Sequence, residues 1–514
     1  MTKPRRIINK RPVCIFALLM AVGIITGELI FGADARFRFI PLVIGVICLL
    51  VFLFVSKVRK LAYIPIAFLV GFVGICGSCD VYSSYSISNQ SGEFSARIAS
   101  EITVEDGETQ FQIDQIYIGG RKLKYKAKVY VDHEFEPDFN LGDVVKISGS
   151  IKSVRHERFS SYYASARANG FGYSISAFEV SKESEGSAPF IMRSRHRIKR
   201  YLFENLDGYS ASVCQALILG DKSGIDENAY ANISASGLAH VLAVSGLHIT
   251  TLSAALYFVF KKLKINPKIA CAIVILITFV YTAMCAFTAS ALRAFIMSSV
   301  FAIASLAGRK QDRLPVLALS AVLIMMFRPT ALFEAGFLLS YSSIFGIILF
   351  FKPLNALGMK AVEKLSPKRH IGARFVKACA VSLSANIVSL PFVAYFFEAV
   401  PTLFLLSSVV VLPYVMALYI VILVLMLLSL ITTFGGFLLP VQYLLIPFRL
   451  YVGGIGNLSF ATVPSVCGAI GAIALSLIFL LCSRLVFLTK RQKTIGAMSI
   501  ASVFFVIASV FYAL

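Results

Sequence analysis

Apolar runs of membrane-spanning length are the feature that most constrains this chain. A helix that crosses a bilayer needs about 20 apolar residues, because its backbone polar groups must be satisfied within the helix itself. Such runs occur near residues 12–31, 39–56, 61–79, 238–260, 269–287, 289–307, 314–328, 336–351, 378–397, 402–432, 435–457, 465–487 and 494–513. The sequence therefore predicts a polytopic α-helical membrane protein with about 13 spans.

The composition of the 514 residues supports this fold class. Apolar residues make up 58% of the chain and charged residues 15%, whereas a soluble domain has about half and about a quarter. The same values exclude a disordered chain and a disulfide-rich secreted scaffold. Cys76 and Cys79 form a C-x-x-C pattern, which leaves a local disulfide open. No His or second Cys pair completes a zinc site, so we expect no metal and no cofactor.

The net charge of +22 is compatible with nucleic-acid binding, but the positions of the basic residues favour an explanation by membrane topology. Most of the excess lies in short basic clusters beside apolar runs, near residues 3–11, 57–60, 261–268, 309–313, 352–377 and 484–493. Basic residues accumulate on the cytoplasmic side of membrane proteins. We therefore expect a bacterial cytoplasmic (inner) membrane protein with its N-terminus in the cytoplasm and its C-terminus outside.

Residues 90–185 differ in kind from the rest of the chain. The apolar runs stop, and a period of two predicts strands near 94–104, 109–118, 121–131, 143–151 and 171–180. Five short strands in under a hundred residues are typical of a small barrel of the OB type. Since three spans precede it, the sequence predicts one inserted extracytoplasmic all-β OB-like domain.

These features divide the chain into four predicted parts. They are a three-span membrane anchor (1–89), the OB-like β-barrel domain (90–185), a linker with amphipathic interfacial helices (186–237) and a membrane channel domain (238–514). Within the last part, the run 402–432 is too long for one straight span. Pro413 predicts a broken or re-entrant element there, which membranes tolerate where the backbone is buried in protein or lines a cavity.

Two basic patterns outside the spans are weak candidates for DNA contact. They are the strand residues Lys122, Lys124, Lys126 and Lys128, and the helical residues Arg193, Arg195, Arg197, Lys199 and Arg200. Residues 94–180 carry 11 cations against 12 anions, so a solvated strand face is the better interpretation of the lysines. An amphipathic helix on the outer leaflet explains the second pattern, with a polyanion collar as the alternative.

Polar residues within the apolar runs are functional candidates, because they are costly in a bilayer unless they face a wet cavity or each other. The candidates for the lining of such a cavity are His240, Ser245, His248, Arg293, Glu334, Ser340 and Asn386. The structural alternatives are satisfied core histidines and an ion pair between Arg293 and Glu334. An intramembrane hydrolase built on Ser245 and His248 is the weakest interpretation, because no nucleophile elbow is present.

Several short motifs share one resemblance. They are Leu219-Gly220-Asp221, Ser223-Gly224, Gly237-Leu238-Ala239-His240, Ser245-Gly246-Leu247-His248, Leu292-Arg293-Ala294, the segment Gly336 to Tyr341 and the segment Leu141 to Gly149. Together they resemble the ComEC-type competence proteins, which carry incoming DNA across the bacterial cytoplasmic membrane. The resemblance extends over nearly the whole chain, and the block 219–248 is the most specific part.

The resemblance implies a non-enzymatic channel that passes single-stranded DNA inward during natural transformation, with the seven polar candidates along its pore. It also implies a separate extracytoplasmic DNA receptor, a separate nuclease and a cytosolic ATP-driven motor, and it leaves homo-oligomerisation open. Leu338 stands where such proteins often have glutamine. No H-x-H-x-D-H cluster is present, so we expect no metallo-β-lactamase-like nuclease domain. A multi-pass transporter of small anions or polyanionic envelope precursors is the alternative.

Overall fold

The computed structural model describes residues 12–30, 35–54, 63–87, 89–100, 102–105, 108–131, 139–154, 160–242, 244–306, 312–365, 369–432 and 434–464. These residues are mostly helical, with one small β region. The chain begins with α1 (Pro12–Ile30), α2 (Ala35–Phe54) and α3 (Tyr63–Ser84).

Small residues bring α1 and α3 into direct backbone contact. A Cβ on Gly23 would collide with the carbonyl oxygen of Phe68, and a Cβ on Gly71 would collide with that of Met20. Membrane helices often associate in this way, because without side chains the backbones approach closely enough for van der Waals packing. The close packing of α1 against α3 therefore depends on Gly23 and Gly71.

The β region follows the anchor. Its elements are β1 (Gln90–Ile98), β2 (Thr103–Glu105), β3 (Glu108–Ile118), β4 (Arg121–Lys122), β5 (Lys126–Val131), β6 (Val144–Ser153), α4 (Ser161–Ala168) and β7 (Phe171–Ser184). The strands pair in the order β1-β6-β7-β5-β3, and β3 pairs again with β1, so the sheet closes on itself. Only β5 and β7 pair in parallel. Alternate residues point inward, and Phe94, Phe111 and Tyr173 are among the largest side chains in the core.

Two predicted strands are divided in the structure. The run 94–104 falls on β1 and β2. The run 121–131 is divided into β4 and β5, and residues 123–125 form a turn between them. The alternation of buried and half-buried side chains holds only along β5. Lys122 and Lys124 therefore do not continue the strand face that carries Lys126 and Lys128.

Arg167 on α4 fixes the β region to the anchor. Its guanidinium donates to the Ser78 hydroxyl at 2.7 Å, to the Ser78 carbonyl, and to the Cys79 sulfur at 3.2 Å. The Cys79 thiol lies 3.7 Å from the buried carboxylate of Glu28. Cys76 and Cys79 do not form a disulfide with each other. Polar groups of α1, α3 and α4 thus form one buried junction.

The remaining helices follow in sequence. They are α5 (Phe190–Asn205), α6 (Gly208–Leu219), α7 (Glu227–Ala235), α8 (Ala239–Leu242), α9 (Gly246–Lys262), α10 (Pro267–Met284), α11 (Ala289–Leu306), α12 (Arg313–Phe327), α13 (Ala335–Leu365), α14 (Arg369–Phe397), α15 (Phe404–Leu406), α16 (Leu412–Thr432) and α17 (Leu439–Gly456). Two short strands, β8 (Ala399–Pro401) and β9 (Thr462–Pro464), pair with each other.

Seven helical segments in the described part of the chain are long and apolar enough to cross a membrane. They are Pro12–Ile30, Tyr63–Val81, Pro267–Met284, Ala335–Val362, Gly372–Phe397, Phe404–Thr432 and Gly435–Gly456. Each coincides with a predicted span. Four other predicted spans are also helical. Those at 39–56, 289–307 and 314–328 contain the shorter apolar stretches Ile40–Leu50, Ser290–Ala304 and Arg313–Phe327, and the one at 238–260 is interrupted. The predicted spans 465–487 and 494–513 lie outside the described residues.

Two of the predicted spans are not regular α-helices throughout. The run 238–260 is interrupted between α8 and α9, where Ser245 caps a new helix. The run 402–432 is irregular ahead of Pro413, since a π-helical turn occupies Ser407–Val411 and Pro413 lies in the first turn of α16. Proline is tolerated at that position because the first helical N–H groups have no partner within the helix. The hydroxyls of Ser407 and Tyr451 hydrogen-bond at 2.8 Å and hold the turn to α17.

Candidate functional site

A large cavity lies among α9, α11, α13 and α14, and its wall extends to α7, β8 and the start of α16. Its volume is about 1980 Å³, roughly twice the upper end of the range for small-molecule pockets. Most of the wall is apolar, with polar side chains at intervals. A cavity of this volume suits a ligand larger than an ordinary small molecule.

The charged residues of the cavity wall all have the same sign. They are Lys222, Lys261, Lys264, Arg293, Arg374 and Lys377. No aspartate or glutamate occurs among the described residues that form the wall. Low-dielectric walls with charge of one sign concentrate the electrostatic field. The charge of the wall therefore favours an anion in the cavity over a cation.

Hydroxyl and amide groups supply the rest of the polar lining. Ser382, Asn386 and Ser389 follow one face of α14 at helical spacing, and Ser340 and Ser343 face the same cavity from α13. Only Ser340 and Asn386 are among the residues predicted from the sequence. The signal for the others was the period of three to four between small polar residues within an apolar run.

The structure brings five of the seven predicted residues to one wall. They are His240, Ser245, Arg293, Ser340 and Asn386. His248 is fully buried and lies behind the wall, with its ring edge-on to Tyr419 at a centroid distance of 4.8 Å. Glu334 precedes α13 and is not part of the wall, although its neighbours Ala335 and Gly336 are.

Ser245 and His248 meet as a helix cap. The Ser245 backbone N–H donates to His248 Nδ1 at 3.1 Å, and the Leu247 N–H donates to Ser245 Oγ at 3.2 Å. Ser245 Oγ also lies 3.1 Å from His248 Nδ1. Because the Nδ1 lone pair is occupied by a backbone donor, the pair is arranged to begin α9. A general base would need that lone pair for the serine proton.

Arg293 is a buried cation that forms no ion pair with the described residues. It is 4% exposed, and no salt bridge joins it to Glu334. Its Cζ atom lies 5.7 Å from the centre of the Tyr341 ring, and Nη1 lies 4.0 Å from the Met297 sulfur. Nε of Arg293 and Oε1 of Glu334 are both buried without a hydrogen-bond partner. The structural alternative of an Arg293–Glu334 pair is therefore not present.

The basic residues of α5 divide into an inner and an outer group. Lys199 lies 2.5 Å and Arg195 3.7 Å from the carboxylate of Asp221, on the loop after α6. Burial alone would raise the pKa of Asp221, but the Lys199 charge and hydrogen bonds from Lys199 and Ser223 lower it to about 2. Arg195 also donates to the Met284 carbonyl at the end of α10. The inner group thus fixes α5 to the membrane domain.

The outer group of α5 faces a second, smaller cavity. Arg193, Arg197 and Arg200 line this space of about 460 Å³ together with Asn140 and Leu141 of the β region. Only these three of the five predicted basic residues of α5 are exposed. The sequence alone did not separate them from the inner pair.

Tyrosines accompany most of the predicted lysines of the β region. Lys122 lies 5.7 Å from the Tyr117 ring, Lys124 lies 4.6 Å from the Tyr85 ring, and Lys128 lies 4.9 Å from the Tyr130 ring. Lys126 is half-buried on β5. Ammonium groups at these distances are attracted to the ring faces. No group of three or more potential metal ligands occurs in the described part of the chain.

Comparison with known proteins identifies relatives. Residues 217–513 match the family model described as Competence protein, which is more than half of the chain. ComE operon protein 3 from Bacillus subtilis (strain 168) is 27% identical over 248 residues, which cover 48% of this chain and 30% of that protein. The match thus spans less than a third of that relative's length. No solved structure matches the chain.

Proposed function

Because the chain belongs to the Competence protein family, we propose that it is the membrane channel through which single-stranded DNA enters the bacterial cytoplasm during natural transformation. The family and the Bacillus relative support a role in DNA uptake during competence. The observation that carries the channel assignment is the wall of the large cavity, which has six basic residues and no carboxylate among the described ones.

The charge of that wall suits a polyanion in transit. Each nucleotide of a strand brings one negative phosphate, and positive potential along the path compensates the loss of its hydration. The positive groups of this cavity of about 1980 Å³ come from four segments of the chain: the loop after α6, the end of α9, α11 and α14. Conduction needs sites weak enough to release what they bind, and cations contributed by separate segments suit that need.

The size of the cavity favours the channel over a transporter of small anions. A transporter of small anions or envelope precursors would share the positive wall, but a small solute is usually held in a pocket of about 300–1,000 Å³. We propose a channel without catalytic activity of its own, in which Ser245 and His248 begin α9. The chain has no G-x-x-x-x-G-K-[ST] motif, so we assign the pulling force to a separate ATP-driven motor. A separate receptor and nuclease would deliver the strand.

The proposed arrangement places the β region outside the cytoplasmic membrane and the N-terminus inside. The closed order β1-β6-β7-β5-β3 supports an OB-type barrel in the domain 90–185, between the anchor 1–89 and the parts 186–237 and 238–514. Ser184 lies at the exposed end of β7. With the other cysteines replaced, Ser184→Cys should react with an impermeant maleimide in intact cells. Labelling only after lysis would contradict this topology.

DNA uptake in a deletion strain tests the function. Complementation with the wild-type chain should restore transport of labelled DNA into the cytoplasm, while DNA binding at the cell surface stays the same with and without the chain. Unchanged uptake in the deletion strain would contradict the channel and favour the transporter. Unchanged binding of DNA at the cell surface without entry is the specific outcome expected of a missing channel.

A further inference from the structure

We propose that Arg293 and the N-terminus of α9 together form a binding site for a single phosphate group inside the cavity. This inference rests on the proposed function, since it names the chemical group that the channel wall recognises. The observations that carry it are the unpaired guanidinium, its position against the first turn of a long helix, and the hydroxyl groups on the adjacent wall.

The guanidinium of Arg293 is buried without a counter-charge, so an anion would stabilise it. The residue is 4% exposed, its Nε has no hydrogen-bond partner, and the described wall of the cavity has no carboxylate. A buried charge without a partner is strongly unfavourable. An anion that enters the cavity would remove this penalty. The ring of Tyr341 at 5.7 Å and the Met297 sulfur at 4.0 Å are weak substitutes for it.

The beginning of α9 supplies a second attraction for the same anion. This helix has 17 residues, and its N-terminus carries the positive end of the helix dipole. Gly246 is its first residue, and a Cβ at that position would lie 2.6 Å from Nη2 of Arg293. The absence of a side chain therefore lets the guanidinium reach the helix end. Phosphate groups bind at helix N-termini in many proteins. Here the Leu247 N–H is engaged by Ser245 Oγ, so α9 contributes chiefly the positive end of its dipole.

Two serines extend the polar surface beside the guanidinium. Ser290 lies one turn before Arg293 on α11, and its hydroxyl is 3.3 Å from that of Ser340 on α13. All three residues belong to the cavity wall. Hydroxyls can donate to phosphate oxygens without adding charge. The site thus offers one full charge and neutral donors, which binds a phosphate without holding it permanently.

Ligand-induced stabilisation of the purified full-length protein tests the site. Inorganic phosphate is titrated in detergent at constant ionic strength, with chloride as the reference anion, and the unfolding temperature is followed. A ligand that binds the native state raises that temperature. We expect Arg293→Gln to weaken the apparent affinity for phosphate by roughly 10- to 100-fold, since hydrogen bonds to a charged group are lost.

Gly246→Ala is the second variant, because it leaves the arginine in place. Alanine suits a helix better than glycine, but its Cβ would displace the guanidinium from the helix end. We expect the folded protein to be retained and the phosphate response to fall. Arg449→Gln is the matched control, since Arg449 is an exposed arginine that does not belong to the described wall of the cavity. It should keep the wild-type response.

The source of the phosphate is tested with two further probes. A thymidine tetranucleotide is compared with its uncharged methylphosphonate analogue, and with short-chain phosphatidylglycerol as a lipid head group. Stabilisation by the charged tetranucleotide alone, lost in Arg293→Gln, supports recognition of the nucleic-acid backbone. Stabilisation by the lipid alone would overturn that assignment.

The outcomes separate this site from the proposed function. Equal phosphate responses in the wild type, Arg293→Gln and Gly246→Ala would overturn the site, whatever the uptake assay shows. A phosphate response that depends on Arg293, together with normal DNA uptake in the deletion strain, would keep the anion site and reject the channel.

Discussion

Several charged side chains of the β region form ion pairs, whereas the basic side chains of the cavity wall form none with the described residues. On the β strands, Arg97 and Asp114 form a two-bond ion pair at 2.8 Å. Lys182 lies 3.1 Å from Asp143, and Lys146 lies 2.7 Å from Glu93. In the cavity, six basic residues face a space whose described wall has no carboxylate.

This difference separates charge used for structure from charge kept for a ligand. A paired charge holds two elements together, but its field is cancelled a short distance away. An unpaired cation costs folding free energy, because burial removes its hydration. It keeps its potential for a passing anion. The nearly neutral β region and the positive cavity therefore have different tasks, although both belong to one basic chain.

The largest effect on DNA uptake is expected from Arg293, which forms no ion pair with the described residues. Arg293→Gln removes the most buried charge of the cavity wall, so we expect DNA uptake to fall by roughly 100-fold. Its free energy of unfolding should stay the same or rise, because no ion pair is broken. Uptake of labelled DNA and the membrane level of the protein are measured together. Loss of the protein from the membrane would instead make Arg293 a packing residue.

A carboxylate placed in the cavity wall should lower DNA uptake, because it gives the positive cavity a negative charge. Asn386→Asp changes the shape of the side chain little and adds one negative charge to the wall of α14. We expect uptake to fall about tenfold, because repulsion of a phosphate raises the barrier by roughly 1.4 kcal/mol.

Asn386→Leu is the control for that substitution. It has a similar volume and also removes the hydrogen bond from the Asn386 amide to the Ser382 carbonyl at 2.9 Å. Uptake should fall less in the leucine variant than in the aspartate variant. Equal losses would mean that the hydrogen bond matters, and not the sign of the charge.

The spans and the β region could be predicted from the sequence, because they depend on patterns along the chain. Apolar runs of membrane length predicted all seven long helices, and the period of two predicted the strands. The break before α9 was harder to predict. It depends on the cap between Ser245 and His248, a local interaction within a continuous apolar run.

The partners of the charged residues could not be predicted, because they are set by tertiary contacts. Lys199 and Arg200 are adjacent in sequence, yet Lys199 binds Asp221 and Arg200 is exposed. Arg293 and Glu334 were equally suited to a pair, and the structure leaves them apart. Their polar character was visible in the sequence, but the distances between them were not.

Asp221 is a paired charge next to the positive cavity, so we expect it to act on stability. Its pKa falls from an ordinary value of 3.8 to about 2, so the ionised form contributes about 2 kcal/mol of stability above pH 4. That contribution is lost as the pH falls through the folded pKa. Asp221→Asn should lower the free energy of unfolding by about this amount at pH 7, and by roughly half of it at pH 3. A pH-independent difference would rule out the ion pair with Lys199 as the cause.

The smallest effect is expected from Arg97 and Asp114, although their geometry is the best of any pair in the β region. Their side chains are 18% and 16% exposed, so water screens part of the attraction. A double-mutant cycle with Arg97→Gln and Asp114→Asn should give a coupling energy of about 1 kcal/mol. DNA uptake should stay near the wild-type level in each variant, because neither residue faces the cavity. A loss of uptake as large as that of Arg293→Gln, with the protein still folded, would show that paired charges also act on the strand.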